Sequence, residues 1–308
     1  MNTRDCAQKA LVLLAGLAFA AVVGLTTAVA QDQNSSQGQK PASSAAAPPQ
    51  GGQAPPAGQT TPPPKPQASP EEIKAYNALR TELDPNRQVE LVDQFAKTYP
   101  ASTMLSDVYF FGAYAFQQQG KIDKVLEYGA KSLQANPDNW KSLLTMATML
   151  PEPQDMAHGS DADKEKKLSD AENDANRALQ LVAGLSGGNL TPDQLAQLKT
   201  TVNVQAHEAL GMTHMQRATM GLSGPDPQEL AKAEQEYKTA NAASNQPNPA
   251  DFFRLGEIYQ MENKTDDAIG AFTQASKLGQ GTAIQNLADQ EIQNLKKQKD
   301  QTAAPAKP

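Results

Sequence analysis

The serine of residues 184–188, which read GLSGG, is the most obvious candidate for chemistry in this chain. A G-x-S-x-G pattern is typical of a nucleophile held between a strand and the helix that follows it directly. Here the preceding residues have helical periodicity, and the next helix start is predicted only at Thr191. Glycines at such a position end a helix and turn the chain. The pattern therefore predicts a turn, and a hydrolase using Ser186 with a distant histidine is the less favoured alternative.

The three histidines could in principle bind a metal. His207 and His214 are seven residues apart on one predicted helix, which is a rise of about 10 Å. That separation is too large for one zinc ion, whose bonds to nitrogen are about 2.0–2.1 Å, so both side chains are predicted to pack between helices. His158 lies in a polar segment, but Lys166 stands where a calcium loop requires glycine. The sequence therefore predicts no metal site, no catalytic residue and no cofactor.

The first 30 residues have the pattern of a secretory signal peptide. Arg4 and Lys9 precede a long apolar run, which ends in Ala-Val-Ala before Gln31. This pattern predicts cleavage after Ala30 and an exported protein, periplasmic or secreted. An apolar run of about 20 residues can also span a bilayer. An uncleaved membrane anchor is therefore the alternative, and membrane contact is expected only in that case.

Cysteine content and charge narrow the function classes further. Cys6 is the only cysteine, so cleavage would leave a mature chain without disulfides or thiolate metal sites. The net charge is −7, and it would become −8 because the leader contributes a net +1. Nucleic-acid binding needs a basic stripe, which this balance disfavours.

Composition divides the rest of the chain into three parts. Residues 31–68 are rich in Gln, Pro, Ala and Ser and hold almost no bulky apolar side chains, which predicts a disordered linker. Residues 69–299 have helical periodicity. Residues 300–308 form an expected disordered tail.

Helix starts are well marked between residues 69 and 299. Ser69, Thr191, Asp226 and Asn248 are each followed by proline, which combines an N-cap side chain with a first-turn proline. No convincing alternating pattern of strand residues accompanies them. The sequence therefore predicts an all-α fold.

A helix-turn-helix layout recurs along this region. Two copies are clearest, one from 109 to 137 and one from 252 to 280, and both place small and aromatic residues at matching points. The interval from Ala113 to Val125 is twelve residues, as is the interval from Gly256 to Ala268. Two middle copies are stretched, by about a dozen residues before Ala171 and by about ten residues around Gly224. A degenerate copy covers residues 70–100.

The layout resembles the tetratricopeptide repeat family, whose unit is two antiparallel helices in about 34 residues. The Tyr99-Pro100 junction resembles exported bacterial envelope members of that family. The resemblance implies a right-handed α-solenoid of stacked units, with residues 282–299 as a capping helix. Stacked repeats generally bind other molecules rather than transform them, so no enzyme activity is expected.

In that family the first helix of each unit lines a concave groove that holds peptides. Carried over by pattern, the candidate groove residues are Asp107, Phe110, Tyr114, Gln117, Glu208, Met212, Met215, Phe253, Glu257 and Gln260. The alternative for Phe110 and Phe253 is that they pack between repeats. Chaperone-binding members clamp a carboxylate with paired Lys and Asn residues, whereas Tyr114 and Glu257 occupy the corresponding Asn positions here. That particular activity is therefore not expected.

Together these features favour an exported scaffold or adapter that binds a protein or peptide segment and helps organise a cell-envelope complex. The alternative is a membrane-anchored structural spacer with an uncleaved N-terminus. The sequence leaves the partner and the oligomeric state open.

The two alternatives differ in the first residue of the exported protein. Cleavage of the leader should give a mature chain that begins at Gln31, which N-terminal sequencing of the protein from its native host would detect. A chain that retains residues 1–30 and fractionates with membranes would instead support the spacer.

Overall fold

The computed structural model describes residues 68–188, 190–221 and 223–303, and every regular element among them is an α-helix. This confirms the predicted all-α fold. The expected signal peptide and the expected linker lie outside the described residues, apart from position 68. Residues 304–308 of the expected tail also lie outside them.

Eleven longer helices and one four-residue helix follow one another along the described residues. They are α1 (Pro70–Thr81), α2 (Pro85–Thr98), α3 (Leu105–Gln118), α4 (Ile122–Ala135), α5 (Trp140–Met149), α6 (Pro153–Met156), α7 (Asp161–Ala183), α8 (Pro192–Thr219), α9 (Pro227–Ala243), α10 (Pro249–Met261), α11 (Thr265–Leu278) and α12 (Ala283–Ala303).

The four predicted N-caps are all present. The Ser69 hydroxyl accepts the Glu72 N–H at 3.1 Å, and the Glu72 carboxylate accepts the Ser69 N–H at 3.4 Å. Thr191 forms the same reciprocal pair with the glutamine three residues later. Asp226 and Asn248 accept backbone N–H groups two residues later, at 2.8 and 3.0 Å. Each cap satisfies donors that a helix start leaves free and contributes about 1 kcal/mol.

The helices pair in sequence order and the pairs stack. The units are α1 with α2, α3 with α4, α5 with α7, α8 with α9, and α10 with α11, and each unit also packs against its neighbour. We number them units 1 to 5. Such stacking buries apolar faces that a single pair would leave exposed.

A glycine faces an aromatic ring inside three of the units. A Cβ added at Gly112 would lie 2.5 Å from the Tyr128 ring, and one added at Gly256 would lie 2.6 Å from the Phe272 ring. At Gly211 the added atom would lie 2.8 Å from the ring of Tyr237. Real Cβ atoms do not come this close, so only glycine lets the first helix approach the ring of the second.

These contacts correct the alignment of unit 2 by one residue. The sequence comparison set Ala113 opposite Gly256, whereas the structure makes Gly112 the equivalent of Gly256. In units 2 and 5 the glycine and its ring are sixteen residues apart. Both Gly112 and Ala113 are small, so composition alone did not distinguish them.

The stretched third unit holds the insertion between α5 and α7, residues 150–160. This segment contains the short helix α6, and Leu150, Glu152 and Met156 in it are all buried. These three side chains of the insertion are therefore shielded from solvent. His158 lies on the exposed part of this segment.

The fourth unit absorbs its extra residues differently from the prediction. The sequence assigned about ten of them to the turn around Gly224, but the turn between α8 and α9 spans only residues 220–226. The remainder lengthens the ends of both helices, because the Asp226 cap starts α9 early. The helix α8 is 28 residues long and contributes to two hydrophobic clusters, with Leu198 and Val202 in one and Met215 and Ala218 in the other.

A buried polar seam joins units 2 and 3. The Ser106 hydroxyl donates to the Ser132 carbonyl at 3.0 Å and accepts from the Asn139 side-chain amide at 2.8 Å. The Ser142 hydroxyl donates to that of Ser132 at 2.6 Å. Mutually satisfied groups of this kind fix the register of α3, α4 and α5, because any slip would leave a buried donor unpaired.

The final helix closes the last unit as the capping prediction expected. Ile284 and Leu295 are buried in the cluster that contains Phe253 and Phe272. The helix continues to Ala303, so the first residues of the expected tail are helical.

Two glycine substitutions in unit 5 test the close approach of its helices. Gly256→Ala should destabilise the protein by about 1–3 kcal/mol, because the new methyl group overpacks the Phe272 ring. Gly270→Ala, in the second helix of the same unit, meets no atom within 4 Å. It should instead stabilise the protein by about 0.5–1 kcal/mol through helix propensity. Thermal unfolding followed by circular dichroism measures both, and equal effects would contradict the close-approach argument.

Candidate functional site

Three of the ten predicted groove residues are core residues, which corrects their assignment. Phe110 is 0% exposed, Phe253 is 4% exposed and Met215 is 9% exposed, and each belongs to a hydrophobic cluster. Phe253 packs edge-on against Phe272 at a ring distance of 5.1 Å. The alternative interpretation, packing between repeats, describes both phenylalanines.

Two of the four predicted groove residues of unit 2, Asp107 and Phe110, contact unit 3. The Asp107 carboxylate accepts from the Lys141 ammonium at 2.6 Å. The same ammonium lies 5.1 Å from the centre of the Phe110 ring. Tyr114 and Gln117 are half-buried, and burial raises the pKa of Tyr114.

A cleft between units 3, 4 and 5 brings two of the predicted residues together, Glu208 and Met212. The enclosed volume of the cleft is about 80 Å³, and it rises to about 590 Å³ when the open space at its mouth is counted. Its walls come from the end of α5 and the segment after it, from α8 and α9, and from the start of α10. The other lining residues are Thr148, Glu152, Ala209, Tyr237, Asn248, Ala250, Asp251 and Arg254. We call this site the acidic cleft.

Glu208 and Asp251 form a hydrogen-bonded carboxyl pair in the cleft. Burial and the neighbouring Glu208 carboxylate raise the pKa of Asp251 well above its usual range. Burial also raises the pKa of Glu208, against the hydrogen bonds from Asn248 and Asp251. The Asn248 amide donates to Glu208 Oε1 at 2.9 Å. Two carboxyl groups can share a hydrogen bond only if one is protonated, so the pair holds one proton and one negative charge.

Glu152 enters the cleft from the insertion and is 7% exposed. It precedes the first residue of α6, but its carboxyl group does not cap that helix. It accepts no hydrogen bond from any residue that the structure describes. Burial raises the pKa of Glu152 to about 7, and the Arg254 guanidinium opposes that shift. Arg254 donates from Nη1 to Glu257 Oε2 at 2.8 Å.

This arrangement is suited to accepting hydrogen bonds and holding positive charge. Glycoside hydrolysis needs two carboxyl groups about 5 Å or more apart on either side of a bond, whereas Glu208 and Asp251 contact each other. In the described part of the chain, no group of three or more His, Cys, Asp or Glu side chains is arranged to hold a metal ion.

Eight of the ten lining residues were missed from the sequence, and four of them matter most for the chemistry of the cleft: Glu152, Asn248, Asp251 and Arg254. Asn248 was recognised only as a helix cap, yet its side-chain oxygen caps α10 while its side-chain nitrogen donates to Glu208. In the sequence, Asp251 and Arg254 are three residues apart on one face of α10, which is the ordinary spacing of an ion pair along a helix. The available signal for Glu152 was its position between two prolines in an insertion.

The two histidines of α8 join that helix to α9, which confirms packing between helices. His214 is 5% exposed, and its Nδ1 lies 2.7 Å from Glu229 Oε2. His207 Nδ1 contacts the Glu236 carboxylate in the same way. Ser186 is exposed in the turn after α7, with a helix rather than a strand before it.

Similarity to known proteins is found among solved structures. No model of a protein family matches this chain, and no curated protein matches it. Among solved structures, a thermophilic TPR protein of Thermus thermophilus is 13% identical with a TM-score of 0.45. The match covers 72% of this chain and 95% of that chain. The TPR domain of P58(IPK) is 14% identical with a TM-score of 0.28, over 75% of this chain and 65% of that one.

Because these similarities are low, the architecture is established by the packing within the chain itself. Paired helices stack in succession, and a glycine of the first helix faces a ring of the second in three units. The fold is a tetratricopeptide-like solenoid.

The burial of Glu152 predicts a pH-dependent stability. Its pKa is about 7 in the folded chain against an ordinary 4.5, so the folded state binds the proton more tightly. Folding stability is therefore lost as the pH rises from about 4.5 through about 7, by on the order of 3 kcal/mol. Glu152→Gln should raise the free energy of unfolding at about pH 8 and change it little at about pH 4.

Urea unfolding at the two pH values measures this difference. Glu71→Gln, an exposed position in α1, is the control and should show no such dependence on pH. An equal effect of Glu152→Gln at both pH values would contradict the prediction.

Proposed function

We propose that the protein is an exported, non-enzymatic scaffold that binds a segment of a partner protein in the acidic cleft and helps to organise a cell-envelope complex. The single observation that supports this most is the cleft itself, which is assembled from three repeat units and lined by both polar and apolar side chains. Mixed surfaces of this kind suit peptide segments.

The composition of the cleft favours a binding role. Met212 is only half-buried there, and methionine is a flexible side chain that adapts to varied partners. The insertion supplies one wall through Glu152, and Glu208 and Met212 stay partly exposed beside it. The insertion therefore borders the cleft and leaves it open.

Export is the second part of the proposal. It is supported by the charged start, the apolar run and the Ala-Val-Ala end of residues 1–30, which lie outside the described residues. Among the described residues, none of the helices combines the length and the apolar character needed to span a bilayer. The membrane-anchored spacer remains the alternative, and the first residue of the exported chain distinguishes it.

Site-specific photocrosslinking in the native host tests the binding role. A photoreactive amino acid at position 212 should capture a specific envelope protein, because that side chain lines the cleft. The same amino acid at Gln274, on the exposed face of α11, is the control and should not capture that protein. Mass spectrometry of the product identifies the segment bound. Capture of the same proteins from both positions, or of none from position 212, would contradict the proposal.

A further inference from the structure

The acidic cleft has an excess of negative charge. Glu152, Glu208 and Asp251 line it, and Glu257 lies beside it through its ion pair with Arg254. The shared proton removes one of these charges and Arg254 balances a second. When Glu152 is ionised, these five side chains together carry a net charge of −2.

Glu152 is the buried carboxyl group of the cleft that has no hydrogen-bond donor among the described residues. A carboxylate buried to this extent is costly unless it is paired or hydrogen-bonded. The other carboxyl groups have partners: Asn248 and Asp251 for Glu208, and Arg254 for Glu257. Glu152 accepts no hydrogen bond from the described residues, so its oxygen atoms remain available to a donor in the cleft.

The apolar part of the lining suits a long side chain. Met212, Ala209 and Ala250 border the carboxyl groups, and Tyr237 forms part of the same wall. Lysine and arginine carry a charged end on an apolar stem, and such stems pack along apolar surface while the charge reaches a polar group.

We propose that the acidic cleft is a pocket for a basic side chain, lysine or arginine, of the bound partner segment, with Glu152 and the Glu208–Asp251 pair receiving its N–H groups. This inference rests on the proposed function, because it specifies the chemistry of the segment that the same cleft would hold. Charge complementarity selects this occupant, since an acidic side chain would meet the surplus carboxylate charge.

Binding of a cation is linked to deprotonation of the cleft. The ionisable groups around the site are Glu152 from the insertion, Glu208 from α8, Tyr237 from α9, and Asp251, Arg254 and Glu257 from α10. A cation favours the ionised form of Glu152, so affinity for a basic segment should increase as the pH rises through about 7.

Selection of random dodecapeptides on the full-length chain at about pH 8 tests the inference. Peptides that depend on the cleft are identified by loss of binding to Met212→Arg. Among them we expect a lysine or arginine whose replacement by norleucine weakens binding by about tenfold or more. Glu152→Gln should produce most of the same loss, and the two changes together should cost little more than either alone.

The pH dependence supplies a matched control. Asp174 on α7 does not line the cleft, although burial and then the Asp170 carboxylate raise its pKa to about 7 as well. Asp174→Asn should keep the wild-type increase in affinity between about pH 5.5 and pH 8, whereas Glu152→Gln should reduce it.

The outcomes separate this inference from the proposed function. Cleft-dependent peptides that bind equally well after their basic residue is replaced, or whose binding is unaffected by Glu152→Gln, would overturn the basic-pocket inference and leave peptide binding intact. Selection that yields no cleft-dependent peptide would overturn both.

Discussion

The contact between a glycine of one helix and an aromatic ring of the next determines how this solenoid is built. At Gly112, Gly211 and Gly256 the ring occupies the volume that any other side chain would need. The two helices therefore come close enough to share a core, and each pair presents a regular surface to its neighbour. The turn between the paired helices is longer in unit 4 than in units 2 and 5, but all three units keep the contact between the glycine and the ring. The repeat stack therefore tolerates insertions as long as the glycine of the first helix still meets the ring of the second.

The acidic cleft is formed partly by repeat helices and partly by the insertion. Rigid helices α8 and α10 hold Glu208, Asp251 and Arg254, whereas Glu152 comes from the insertion outside the repeat pattern. Several carboxyl groups are buried there, and burial of carboxyl groups works against folding unless they are protonated or paired. The polar seam of Ser106 and its partners in units 2 and 3 differs in this respect, because its donors and acceptors satisfy one another.

Much of the fold could be predicted from the sequence because its signals are local. Ser69 and Thr191 act within their own helix turns, and the recurring small and aromatic positions identify the helix pairs. The register of unit 2 could not be fixed, since Gly112 and Ala113 are both small and only the distance to the Tyr128 ring distinguishes them. The cleft was predicted only in part, because its carboxyl groups meet across units that are far apart in sequence.

The length of α8 has a consequence for how the molecule unfolds. Its first half packs with α5 and α7, and its second half lies in a cluster with α9 and α10. In a stack where each unit contacts only its neighbours, end units can melt independently. Because α8 is one continuous helix shared by two hydrophobic clusters, the units at the centre of the stack cannot unfold independently. The middle of the protein should therefore lose its amide-exchange protection as one cooperative block, and α1 and α12 should open at lower free energy.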